Sequence, residues 1–162
     1  MTKVLLSIHV LAAIIAIGPV TVAASMFPAA ARRALAATDA GSGSAVVHTL
    51  HRVCRVYAVV GIVVPVFGLA TASSLGVLGD AWLIVSMVLT AAAAAVLGLL
   101  VIPRQSAILT DLGTPAGSTT EAIAETRRRA LARLAMHTGI FNVLWAVVTV
   151  LMIVRPGSTT GV

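Results

Sequence analysis

The stretch VLLSIHVLAAIIAIGPVTVAA, residues 4–24, decides the fold, because its only ionisable side chain is His9. An apolar run of about 20 residues is what a helix needs to cross a hydrocarbon core of about 30 Å. Three more such runs follow, Val56 to Ala72, Ala81 to Ile102 and Thr138 to Val154. The chain is expected to be all-α, a polytopic membrane protein with spans near residues 4–26, 53–73, 81–103 and 136–154. Its 162 residues read as a single membrane domain.

Composition excludes the other classes. With 59% hydrophobic and 10% charged residues and a mean hydropathy of +1.08, there are too few polar side chains to cover a soluble domain. The net charge of +6 is not a nucleic-acid signature, since the basic residues lack interleaved aromatics and flank the apolar runs, where lipid headgroups would meet them. The single cysteine, Cys54, excludes an intramolecular disulfide.

The arginines set the orientation. Arg32, Arg33, Arg52 and Arg55 lie between or beside spans one and two, and Arg104, Arg127, Arg128, Arg129 and Arg133 lie between spans three and four. The other side has only Lys3, the base-free turn from Ser73 to Asp80, and Arg155. The positive-inside rule puts segments 28–50 and 104–133 in the cytoplasm and both termini outside. Lys3 before an apolar run, with Ala23, Ala24 and Ser25 behind it, has the layout of a secretory signal. The run is long enough to span and is expected to remain as a helix.

Helical signals continue past the apolar runs on the arginine-rich side. Ser118 and Glu121 have capping-box spacing, so the fourth helix is expected from near Thr119 to Val154. The second helix is expected from near Ser44, and the third to run past Pro103 to a stop at Gly113 and Pro115. Short connections then give an antiparallel four-helix bundle whose helices extend into the cytoplasm.

Helical spacing also predicts the packing faces. Cys54, Ala58, Gly61, Pro65, Gly68 and Ala72 form a stripe of small residues on span two, with His51 and His48 one and two steps back. On span one His9, Ala13, Ala16, Val20 and Ala23 share a face, and Pro19 and Pro28 are expected to bend the helix. Ser86, Thr90 and Asn142 are candidates for interhelical hydrogen bonds. Asp80 is expected to cap span three, Trp82 to anchor at the interface and Trp145 to pack inside.

Two groups of residues carry possible chemistry. An intramembrane histidine is costly and is a functional hypothesis by default, so His9 is a candidate ligand for haem b or a metal. Its structural alternatives are a hydrogen bond to a neighbour such as Ser86 and snorkelling to the outer interface. His48, His51 and Cys54 offer metal-ligand chemistry, although steps of three residues drift about 60° each around a helix, so another helix would have to help. His137 at the start of span four could do so, and His51 with His137 would suit a bis-histidine haem. Equally, these histidines adjoin Arg52, Arg55 and Arg133 and fit an interfacial belt, and the Arg127 to Arg129 run fits a solvated or lipid-binding face. No carboxylate lies inside a span to support hydrolysis or a proton relay.

The opening Leu5-Leu6-Ser7-Ile8-His9-Val10-Leu11-Ala12-Ala13-Ile14-Ile15-Ala16-Ile17-Gly18 resembles the first helix of a group of small bacterial membrane proteins with an LHVLGAxxWxGG pattern. The group comprises the DUF2269 family, CopD-like copper-resistance proteins and HemJ-like haem proteins. His9 falls on the pattern's histidine and Gly18 on one glycine. In the HemJ-like branch the resemblance implies haem binding at that histidine and protoporphyrinogen oxidation, with a lysine inside a later helix. Here the tryptophan position holds Ile15, Ala16 or Ile17, Pro19 replaces the second glycine, and the only lysine is Lys3. The resemblance favours the DUF2269 branch. Three functions follow as expectations: a haem- or metal-holding redox protein, a non-enzymatic accessory subunit of a larger membrane complex or homo-oligomer, and a metal-handling or transport protein.

Overall fold

The computed structural model describes residues 2–37, 40–113 and 121–157. Its elements are α1 (Thr2–Ala36), α2 (Ala40–Val60), α3 (Val63–Leu75), α4 (Ala81–Ala95), a π-helical turn (Val96–Val101), α5 (Ile102–Leu112) and α6 (Glu121–Val154), with no strand among the described residues. Together they make four spans, Lys3–Ala36, Gly43–Leu75, Ala81–Leu112 and Glu121–Val154, of 32 to 34 residues. At 1.5 Å per residue each is about 50 Å long, against a hydrocarbon core of about 30 Å. The excess lies on the arginine-rich side, where the sequence predicts extended helices. The Ser118 half of the expected capping box lies outside the described residues.

Each span is shaped by a local rule. Helix α1 runs unbroken through Pro19 and Pro28. Span two is interrupted at Gly61 and Ile62 because Pro65 has no N–H for the Gly61 carbonyl, which instead accepts from Val64 N–H at 3.1 Å. It ends at Gly76, whose φ of 70° is the left-handed conformation that glycine adopts freely. In span three, Pro103 likewise removes a donor, and the turn before it widens so that Ile102 N–H reaches the Leu97 carbonyl. The Arg104 guanidinium donates to the Leu100 carbonyl at 3.3 Å in that loosened stretch.

Spans one and two pack along their whole length, and span three packs on span four. The two pairs join chiefly in the arginine-rich half, where α1 meets α6 and α5 and α2 meets α5. All four spans contribute to the core there, with Phe27, Val47, Cys54, Val101, Leu134 and Phe141 fully buried. At the opposite end a smaller cluster of Ala72, Trp82 and Leu83, backed by Val77 and Met152, closes the tips.

The tip departs from expectation in one detail. Asp80 stands at the N-cap position but makes no side-chain cap. Its Oδ2 accepts from Trp82 Nε1 at 2.9 Å, and the Arg155 guanidinium lies 5.6 Å from the Trp82 ring centroid. Trp82 is thus an anchor between the ends of spans three and four. Trp145 packs edge-on against Phe141, with ring centroids 6.4 Å apart, as an interior residue.

Candidate functional site

In lipid no hydrophobic force draws helices together, so close packing and interhelical hydrogen bonds decide their arrangement. Polar side chains form three separate interhelical stations, two of them buried and the third half-exposed. The first is His9. The predicted face of span one turns inward, with His9, Ala16, Val20 and Ala23 buried and Ala13 half-buried. His9 Nδ1 lies 2.9 Å from the Val64 carbonyl on span two. A carbonyl only accepts, so Nδ1 carries the proton and, in the neutral ring, Nε2 keeps a lone pair. The ring lies against Gly68, where an added Cβ would stand 2.9 Å from His9 Cε1. The small residue at 68 makes room for the imidazole. The partner is a backbone carbonyl rather than Ser86, whose hydroxyl donates to the Trp82 carbonyl of its own helix at 2.8 Å. Thr90 does the same toward Ser86 at 2.7 Å, so neither hydroxyl donates to another span.

The second station is the seam between α2 and α5. His51 Nδ1–H donates to Gln105 Oε1 at 3.1 Å, and Gln105 Nε2 donates to Cys54 Sγ at 3.6 Å. Gln105 and Cys54 are fully buried, and His51 is 9% exposed. The Ser106 hydroxyl lies 3.4 Å from His51 Nε2 and 3.2 Å from the Ile102 carbonyl, and can donate to one of them at a time. Gln105 is absent from the sequence-based candidates. Its signal is the ridge Leu97, Val101, Gln105, Ile108, whose steps of four, four and three residues put a lone glutamine on a buried face.

The third station is on span four, where Asn142 Nδ2 donates to Ser25 Oγ of span one at 3.0 Å, the interhelical bond expected of Asn142. Thr138 Oγ1, Asn142 Oδ1 and Trp145 Nε1 are buried without a partner among the described residues.

The remaining candidate ligands, His48 and His137, have their own surroundings. His48 is exposed, because the inward stripe continues from His51 to fully buried Val47, four residues back, rather than to His48, three back. Pro65 is exposed for the same reason, its neighbour Val64 taking the inward position. His137 Nδ1–H donates to the Arg133 carbonyl of its own helix. No group of three His, Cys, Asp or Glu that could hold a metal ion occurs among the described residues. His9 pairs with Val64, thirteen residues from His51, which is about 20 Å along the span. One haem iron held by His9 together with His51 does not fit that separation.

The arginine run is also divided. Arg127 turns to Asp111, with Nη2–H donating to Oδ1 at 2.9 Å and Nε 2.7 Å from Oδ2. Arg129 and Arg128 both pair with Glu125 on the outer face of α6.

Four long apolar helices, tied at polar stations and flared with arginine at one end, define a four-span integral membrane protein. The chain belongs to the DUF2269 family, described as predicted integral membrane protein, whose model matches residues 3–156. No curated protein and no solved structure matches the chain.

Proposed function

We propose that this protein is a non-catalytic subunit, a four-helix scaffold of the bacterial inner membrane that acts through what it packs against, as part of a homo-oligomer or a larger membrane complex. The observation that carries the reading is the His51–Gln105–Cys54 network, which commits the groups best suited to chemistry to holding span two on span three. A bundle whose buried histidine, glutamine and cysteine at the α2–α5 seam are spent on that seam offers a shape there rather than a reaction. Both termini are outside and both arginine-rich segments cytoplasmic, a reading supported by the near absence of basic residues from the other side.

The test is gentle detergent extraction of native membranes, followed by native-gel mobility and a visible spectrum of the purified full chain. The expected result is a colourless protein in an assembly larger than one chain. A stable, partner-free monomer would overturn the proposal. For orientation, alkaline phosphatase fused after Gly157 should be active, and an inactive fusion beside a fluorescent cytoplasmic reporter would reverse the topology.

One observation favours a second reading, a haem- or metal-linked redox role. His9 donates from Nδ1 to a carbonyl, the arrangement that commonly orients a ligating imidazole through its other nitrogen. His9 would supply one axial ligand at that end, with the second coming from a partner. A Soret band present in the wild type and lost in His9→Ala would establish this reading in place of the first.

A further inference from the structure

At the arginine-rich end a groove of about 500 Å³ runs between the end of α1, α5 and the first half of α6. Its floor is apolar, built from Leu35, Ile108, Ile123 and Leu131, and Arg104 and Arg133 stand on its rim. The third arginine of the lining, Arg127, is the one already paired with Asp111. The other two make no ion pair among the described residues. Arg104 spends one donor on the Leu100 carbonyl, and a guanidinium has five.

The depth is informative. Arg104 and Arg133 mark where the apolar stretches of spans three and four end. Asp111 lies seven residues beyond Arg104, about 10 Å along the helix. The headgroup layer on each side of a bilayer is about 5–8 Å thick, so the groove opens at that layer.

We propose that this groove is a specific site for one anionic phospholipid of the leaflet on the arginine-rich side. The phosphate sits between Arg104 and Arg133, and the glycerol and first methylenes lie over Ile108 and Leu131. Charge complementarity selects this occupant over the chain's own connection between α5 and α6, because residues 114–120 contain no acidic side chain to set against the two rim arginines. The remaining cations of the segment do not contribute, since Arg128 and Arg129 are paired with Glu125 outside the groove.

The test is native mass spectrometry of the purified full chain titrated with phosphatidylglycerol or phosphatidylcholine. The expected result is one phosphatidylglycerol held in preference to phosphatidylcholine. Arg104→Gln and Arg133→Gln should each weaken it about fivefold. Arg104→Lys, which keeps the charge, should lose less, and Arg129→Gln, which removes an equal charge outside the groove, should change nothing. Unfolding midpoints in mixed micelles identify any variant that fails to fold, and for Arg104 the lysine variant then carries the comparison. Equal retention of the two lipids, or an Arg129→Gln loss as large as that of Arg133→Gln, would overturn a built site. Displacement of the lipid by millimolar glycerol phosphate would show a site for free phosphate instead. Binding that emerges only after residues 114–120 are replaced by a glycine-serine linker would show that the chain's own segment fills the groove.

Discussion

Gly68→Ala tests the His9 station directly. The added Cβ would stand 2.9 Å from His9 Cε1, 3.3 Å from Nδ1 and 3.7 Å from Nε2. The ring cannot simply retreat, because Nδ1–H is bonded to the Val64 carbonyl one turn away on the same helix. Overpacking of this kind costs about 1–3 kcal/mol. Replacing a helical glycine with alanine returns about 1 kcal/mol, so the net loss should be about 1 kcal/mol. The discriminating measurement is a double-mutant cycle. With His9→Ala in place the obstacle is gone, and Gly68→Ala should become neutral or stabilising by up to about 1 kcal/mol. Gly139→Ala on span four, where an added Cβ meets nothing within 4 Å, supplies the control and should not destabilise. Reversible SDS-induced unfolding in mixed micelles, followed by circular dichroism, gives all the free energies. If Gly68→Ala costs the same with and without the His9 ring, the packing argument is refuted.

Other consequences follow from the same seams. Gln105→Leu strips His51 Nδ1–H of its acceptor in a buried setting and should cost about 1–3 kcal/mol in the same unfolding assay, whereas Ser106→Ala, at an exposed position, should cost less than about 1 kcal/mol. Cys54 is fully buried, so in native vesicles it should resist a thiol-reactive maleimide and become reactive in Gln105→Leu; wild-type labelling at the rate of a free thiol would contradict the packed seam. Trp82→Phe removes the hydrogen bond to Asp80 and weakens the Arg155 contact, and should cost about 1 kcal/mol by SDS unfolding. Asp111→Asn should cost no more than about 1 kcal/mol, because the carboxylate is 40% exposed and its pair with Arg127 is screened.

The lengths of the apolar runs and the arginine distribution make the four spans legible before any coordinates exist. The inward face of span one is legible too, because His9, Ala16, Val20 and Ala23 keep helical spacing. The partner of His9 is not, since every residue has a carbonyl and nothing distinguishes that of Val64 in the sequence. His48 illustrates a second limit. A step of three and a step of four both continue a helical stripe for one turn, and packing against α1 selects Val47. Gln105 escapes for a related reason. It follows Pro103 and Arg104, where the apolar run ends, yet the expected continuation of the helix keeps position 105 in the interior.

The placement of the stations explains how a chain with so little polar chemistry fixes one arrangement of its helices. Apolar side chains are nearly indifferent between a neighbouring helix and lipid, so an apolar seam alone leaves helix rotation weakly specified. His9 on Val64 sets span one against the half of span two away from the arginine-rich end, where α3 packs mainly on α1. His51 on Gln105 sets span two against span three in the other half, and Asn142 on Ser25 sets span four against span one. Rotating any one of these helices by a single residue, about 100°, carries its polar group off the seam into a setting that cannot satisfy it. Spans three and four are tied at the arginine-rich end by the half-exposed Arg127–Asp111 pair, and at the other end their closure rests on the Trp82 tip with Arg155. If this division holds, loss of the Trp82 contact should free the far end of span four while the His51 seam stays closed. Cys54 in Trp82→Phe should therefore remain as resistant to maleimide as in the wild type, and simultaneous opening of both ends would mean that the bundle unfolds as one cooperative unit.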